Sequence, residues 1–288
     1  MPDIRHVQGY AQDPGGPRLY WQGFAVPEPK AVLLFVHGLA EHSGRYLNPA
    51  LYLAPRGYAC YALDCRGHGR SAGRRVHVTR FDEFVQDVRT VGSLVRARHP
   101  GLAFFLVGHS QGGLIVLRYV LRQPEGLAGV VASAPALGVH PAMKPSATTV
   151  FLAQTLSRLA PKALLDNHVD PRALCHDEAV VEAYRRDPLV SRKVSARWYT
   201  SIVDAMAEVW SDAPGLSVPA LVMASGADRL VSTDATRRWV ERAPRDRVEH
   251  VVWDGLYHEM FNEPERDLVF KRMEGWLDRH LHPRQTTT

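Results

Sequence analysis

Three residues whose types could act together stand in the order serine, aspartate, histidine: Ser110, Asp228 and His258. Ser110 is the centre of Gly108-His109-Ser110-Gln111-Gly112, a Gly-x-Ser-x-Gly pentapeptide. Ala103 to Val107, apolar without alternation, precede it and read as a buried parallel strand. Leu114 to Leu121, apolar nearly all round, follow it and read as a helix inside a layered fold. A serine at such a strand-to-helix junction is held in a strained backbone with its hydroxyl raised at the strand's carboxyl end, and flanking glycines let strand and helix approach. That placement suits attack on a carbonyl, provided a base takes the hydroxyl proton.

His258 and Asp228 can supply the base and its orienting acid. Asp228 closes Ser225-Gly226-Ala227-Asp228 just past the strand Pro219 to Ala224, and His258 lies just past the strand Val248 to Trp253. Open α/β sheets place ligands at such carboxyl ends. His258 would accept the serine proton and return it to the leaving alcohol, while Asp228 fixes the tautomer and stabilises the imidazolium. Asp254 is too close in sequence to His258 to occupy a separate strand end, and Asp204 falls on a helix. Of the other histidines, His109 is expected to point away beneath the turn, His37 and His68 to order turns, and His250 to lie in the last strand. The anion formed on attack needs backbone N–H donors: one from Gln111, after the serine, and one from Leu39, after the strand end at His37-Gly38.

The elements that must hold these residues alternate. Strands are expected over Ile4 to Ala11 and Leu19 to Ala25, a hairpin closed by Asp13-Pro14-Gly15-Gly16, then over Ala31 to Val36, Tyr58 to Leu63 and Leu127 to Ala132. Helices over about Gly44 to Ala54 and Phe81 to Arg98 fall between them, and others over Asp234 to Arg242 and Glu263 to His280 complete the pattern. This is an α/β chain with a mostly parallel sheet covered on both faces. From about Pro135 to Trp210 the pattern turns helical, around Ser146 to Leu159, Asp177 to Arg185 and Ser195 to Trp210, without a convincing strand. The organisation expected is one discontinuous core domain, 1–134 and 211–282, a helical cap over 135–210 and a disordered tail over 283–288.

Composition narrows the function classes. A formal charge of +5 and a pI near 9.2 come from scattered arginine without a basic block, which excludes a nucleic-acid partner. Three cysteines, Cys60, Cys65 and Cys175, have no metal-ligand spacing and read as free thiols. The glycine-rich Asp64 to Ser71 lacks Gly-Lys-Ser/Thr and reads as a tight turn rather than a phosphate loop. No apolar run spans a bilayer, and Met1 to Arg5 lack the apolar core of a secretory signal, so a cytoplasmic location is expected.

His37-Gly38-Leu39-Ala40-Glu41-His42-Ser43-Gly44-Arg45-Tyr46, the Asp64 to Ser71 turn, Gly108 to Gly113, Asp187-Pro188-Leu189-Val190 and Tyr257-His258-Glu259 together resemble the monoacylglycerol lipase and lysophospholipase branch of the α/β-hydrolases. The resemblance runs from about residue 20 to 280 in order and spacing. It implies the α/β-hydrolase fold with an eight-stranded sheet, a helical cap and no cofactor. It also implies Ser110, Asp228 and His258 as the triad, with Leu39 and Gln111 as oxyanion donors. Many relatives carry Met at the position of Gln111 and Ala at that of Leu39; because backbone groups act there, the difference is expected in bulk around the acyl carbonyl, not in the chemistry. The activity implied is a serine esterase that cleaves monoacylglycerol to fatty acid and glycerol, with a lysophospholipase or short-chain carboxylesterase as the alternative. A ligand-binding receptor on a hydrolase scaffold is the alternative from another class. Epoxide hydrolases and dehalogenases of this fold need a carboxylate where Ser110 stands. Val150, Phe151, Leu152, Leu156 and Leu159 could line an acyl slot, form a cap core, or, beside Lys144, Arg158 and Lys162, touch a membrane surface.

Overall fold

The structure is a computed structural model and describes residues 4–281. The tail expected over 283–288 lies outside the described residues. The chain opens with β1 (Arg5–Ala11), β2 (Leu19–Ala25), β3 (Ala31–Val36), α1 (Leu47–Leu53) and β4 (Tyr58–Leu63). It continues through α2 (Asp82–Arg98), β5 (Ala103–His109), α3 (Gln111–Arg122) and β6 (Gly129–Ser133). Next come α4 (Ala147–Leu159), β7 (Leu164–Asp166), α5 (Glu178–Arg186), β8 (Lys193–Ser195) and α6 (Ala196–Asp212). β9 (Ala220–Ser225), α7 (Thr233–Arg242), β10 (Val248–Trp253) and α8 (Arg266–Arg279) finish it.

Eight strands form one sheet in the order β1-β2-β4-β3-β5-β6-β9-β10. The hairpin β1–β2 and the pair β2–β4 are antiparallel, and every later neighbour is parallel. Every residue of β3, β4, β6 and β9 is buried. That is why these segments run apolar without alternation: parallel strands covered on both faces expose neither side to water. Trp239, Trp276, Phe35, Phe84, Phe105 and Phe270 are among the largest fully buried side chains of the core. Because β3, β5, β9 and β10 run the same way, the loops carrying Leu39, Ser110, Asp228 and His258 leave one edge of the sheet.

The segment between β6 and β9 sits against that edge. It differs from the all-helical expectation, since β7 and β8 pair antiparallel with Leu164 opposite Ser195 and Asp166 opposite Lys193. Three residues are too few for a period of two to register in a sequence. Ser157 of α4 and Thr200 of α6 share a hydrogen bond of 2.7 Å, tying two helices of the insertion together. The closing helix also starts later than its apolar pattern implies, at Arg266. Glu263 is fully buried and accepts from the backbone N–H groups of Tyr257 and His176, so its carboxylate fastens the loop before the helix.

Candidate active site

Ser110 sits between β5 and α3 with φ 54° and ψ −117°. A non-glycine residue takes that backbone only where its surroundings over-determine it. Here they do: Ser110 N–H donates to the Ser133 carbonyl at 2.9 Å, and its own carbonyl accepts from Leu114 and Ala136. The glycines are required by distance, because a Cβ on Gly108 would lie 2.2 Å from the Gly112 carbonyl oxygen and one on Gly112 would lie 2.0 Å from that of Val36. The turn from β5 to α3, the nucleophile elbow, is thus wedged between β3 and β6, and the Ser110 hydroxyl opens into a cavity.

His258 lines the same cavity. Its Nδ1–H donates to Asp228 Oδ2 at 2.8 Å, and Asp228 Oδ1 accepts from Leu230 N–H and Val231 N–H at 2.8 and 2.9 Å. Asp228 is therefore fixed by its own loop and in turn fixes the imidazole, whose Nε2 has no hydrogen-bond partner among the described residues. Burial works to lower the His258 pKa, but the charge and hydrogen bond of Asp228 outweigh it and leave the imidazole above its ordinary value. Burial likewise works to raise Asp228, and His258 with the two backbone donors holds the carboxyl below its usual range. Asp254 makes no hydrogen bond to His258, and Asp204 lies on α6. Among the described residues no hydrogen bond joins Ser110 Oγ to His258, a contact that in unliganded enzymes often tightens only with substrate.

Gln111 begins α3, so its N–H has no acceptor within the helix. Gly38 N–H is occupied by Glu41 Oε1, which leaves Leu39 as the next N–H in that loop, and Leu39 lines the cavity with Ser110. The geometry can serve a tetrahedral oxyanion from two sides.

His109 departs from its expected place. Its ring lies 4.7 Å from that of His258, centroid to centroid, and faces the cavity instead of turning beneath the elbow. Burial, and then the neighbouring His258, push its pKa down to about 3, so it stays neutral. His37 orders a turn as expected: its Nδ1–H donates to the Gly38 carbonyl and its Nε2 accepts from Cys65 N–H. Cys60, Cys65 and Cys175 are free and buried.

A buried ionic cluster along one wall of the cavity went unassigned in the sequence. Glu41 accepts from Gly38 N–H, Tyr46 Oη and Arg45 Nε, and Arg45 also reaches Glu259 at 2.5 Å. The Arg45 guanidinium lies 4.8 Å over the ring of Tyr184 on α5. Burial opposes the charge on Glu41, but Arg45 holds its carboxyl well below the usual range. The stretch Glu41 to Tyr46 was visible as a motif, but nothing local to it names Glu259 as the partner.

The cavity has two characters. Glu41, His109, Tyr184 and Glu259 make a polar part beside His258, while Leu39, Val139, Trp198, Ile202 and Met206 make an apolar part of the same space of about 170 Å³. A second cavity of about 310 Å³ shares Leu39, Val139, Met143, Asn167 and Trp198 with it and continues beneath α4, lined by Leu152, Leu156, Leu165 and Val194. Of the α4 residues expected to be slot or core, Leu156 and Leu152 line the cavity, Leu152 with 57% of its surface still exposed, whereas Phe151 and Leu159 are 72% and 81% exposed and do not line it.

Comparison with known proteins agrees with this architecture. The family model described as serine aminopeptidase, S33, matches residues 27–265. A monoacylglycerol lipase of Mycolicibacterium smegmatis is 38% identical over 255 residues, covering 88% of this chain and 90% of that protein. Phospholipase YtpA of Bacillus subtilis is 32% identical over 255 residues, covering 88% of this chain and 97% of that protein. Among solved structures, the crystal structure of Paleococcus ferrophilus monoacylglycerol lipase superposes with a TM-score of 0.79 at 31% identity, covering 96% of this chain and 99% of that one. With its eight-stranded sheet, its strained Ser110 turn and this match over most of its length, the chain belongs to the serine aminopeptidase S33 family of α/β-hydrolases.

Proposed function

We propose that this protein is a monoacylglycerol lipase that works through an acyl-enzyme on Ser110. The observation that carries the reading is the cavity's division: a polar part beside His258 that suits glycerol hydroxyls, and an apolar path under α4 that suits an acyl chain. Each methylene moved from water into that path contributes about 0.8 kcal/mol. Neutral His258 takes the Ser110 proton as Oγ bonds to the ester carbonyl, and Asp228 stabilises the imidazolium that forms. The N–H groups of Leu39 and Gln111 receive the oxyanion, each worth about 3 kcal/mol of barrier. The C–O bond to glycerol then breaks, with His258 giving its proton to the leaving oxygen. Water activated by His258 next attacks the acyl-serine, which releases fatty acid and restores Ser110. The relatives named monoacylglycerol lipase support the substrate class.

The segment 135–210 acts in this reading as a cap, and α4 as its contact with a lipid surface. No acidic residue falls between Lys144 and Leu165, and Phe151 and Leu159 project from α4 near exposed Lys144, Arg158 and Lys162. Among the described residues no helix is long and apolar enough to cross a membrane, so the contact is peripheral.

A lysophospholipase is the second reading, favoured by the similarity to phospholipase YtpA. Initial rates on monooleoylglycerol, dioleoylglycerol, lysophosphatidylcholine and a leucine aryl amide separate the activities. The proposal requires monooleoylglycerol to have the highest kcat/KM. Preference for lysophosphatidylcholine would establish the second reading, and preference for the amide would overturn both.

A further inference from the structure

Hydrogen bonds from the inserted segment end on both sides of the proposed oxyanion hole. On one side, Trp198 Nε1–H of α6 donates to Gln111 Oε1 at 2.7 Å. Gln111 is 1% exposed and its Nε2 has no partner among the described residues, so the bond to Trp198 is what orients this buried amide directly after Ser110. On the other side, Ser191 N–H donates to the Ala40 carbonyl at 2.9 Å, and Asp187 Oδ2 accepts from His42 Nε2–H at 2.8 Å. Gly44 N–H occupies His42 Nδ1, which leaves the ring proton on the nitrogen that faces Asp187. Asp187 is itself set by its turn, accepting from Leu189 N–H at 2.8 Å. Ala40 follows Leu39 and has φ 61°, a left-handed backbone that a side-chain-bearing residue keeps only when external contacts hold it.

We propose that Asp187 and Trp198 are positioning residues: through His42 and Ala40 on one side and Gln111 on the other, the insertion sets the Leu39 and Gln111 N–H groups at the spacing the tetrahedral oxygen requires. Oxyanion stabilisation depends on donors held to a few tenths of an ångström in advance of the reaction. The insertion therefore acts on the rate of the chemical step as well as covering the substrate, and a displacement of it lowers turnover. This rests on Ser110, Leu39 and Gln111 having the roles given above.

The test uses the full chain, 4-nitrophenyl butyrate, which is too short to fill the path under α4, and an aryl trifluoromethyl ketone that forms a tetrahedral adduct with an active-site serine. Rates are expressed per serine labelled at the end point by a fluorophosphonate, so that any unfolded fraction drops out. Trp198→Phe and Asp187→Ala should each lower kcat by roughly ten- to a hundredfold with KM within about twofold, and weaken the ketone by the same factor. Asp187→Asn offers one oxygen where Asp187 uses two, so with Leu189 N–H kept on that oxygen its amide faces the His42 Nε2–H, and it should lose kcat much as Asp187→Ala does. The inference fails if kcat is unchanged, if KM alone rises, or if ketone affinity does not follow kcat/KM. A wild-type chain that neither the ketone nor the fluorophosphonate inhibits would instead remove the serine-esterase reading on which the inference stands.

Discussion

At His258 two opposed effects meet. Burial favours the neutral ring and Asp228 favours the charged one, and the second wins, leaving the pKa above the ordinary 6.5. Only the neutral ring can accept the serine proton, so kcat/KM should rise with pH through a group above 6.5. Asp228→Asn removes the largest influence that raises the pKa, leaving burial opposed only by the smaller pull of Glu259 and Glu41, so the limb should move to lower pH. The amide also favours the wrong tautomer, and turnover should fall by about 10⁴. Asp254→Asn should leave both the limb and the rate in place, because Asp254 does not touch His258; if the two variants exchanged behaviour, Asp254 would be the acid. The strand-end positions of Ser110 and Asp228 were legible because each follows a continuous apolar run, whereas the strand before His258, Val248–Trp253, is interrupted by Glu249 and His250 and only partly buried. Glu41 and Arg45 were not legible as a cluster, since Arg45 meets Glu259 across 214 positions of sequence and no local pattern carries such a pairing.

Among the elements, α4 is the one whose sequence admitted opposite outcomes. Its apolar residues are spread around the helix, so periodicity did not say which face was covered. The structure divides them in part: Leu156 lines the cavity, Leu152 lines it while staying 57% exposed, and Phe151 and Leu159 stand out from the surface. Phe151→Glu with Leu159→Glu therefore tests the surface role without touching the cavity lining. The double variant should lose most of its binding to vesicles of phosphatidylglycerol and phosphatidylcholine in sedimentation, and hydrolyse monooleoylglycerol presented in such vesicles several-fold more slowly. Its rate on 4-nitrophenyl butyrate and its Tm should stay at wild-type values. An early melt with loss of both substrates would show that these side chains pack inward, and unchanged vesicle binding would remove α4 as the contact. The strands β7 and β8 escaped the sequence for a simpler reason, being three residues each and held by pairing across the insertion rather than by pattern.

The molecule as a whole joins a sheet whose order was readable to an insertion whose docking was not. Runs such as Ala31–Val36 and Ala220–Ser225 announce buried parallel strands, and their loops then converge on one edge by geometry alone. The contacts that seat the insertion there, Trp198 on Gln111, Asp187 on His42 and Arg45 beneath Tyr184, join distant polar residues and leave no periodic trace. In the proposed mechanism one serine, Ser110, carries monoacylglycerol hydrolysis. The most direct test of that role is titration of the wild-type chain with a fluorophosphonate, following adduct mass, adduct position by peptide mass spectrometry and the residual rate on monooleoylglycerol. One adduct per chain is expected, on Ser110, with the rate falling in proportion to labelling and no adduct in Ser110→Ala. Full labelling of Ser110 with hydrolysis undiminished, or loss of hydrolysis with the adduct on another residue, would contradict the mechanism.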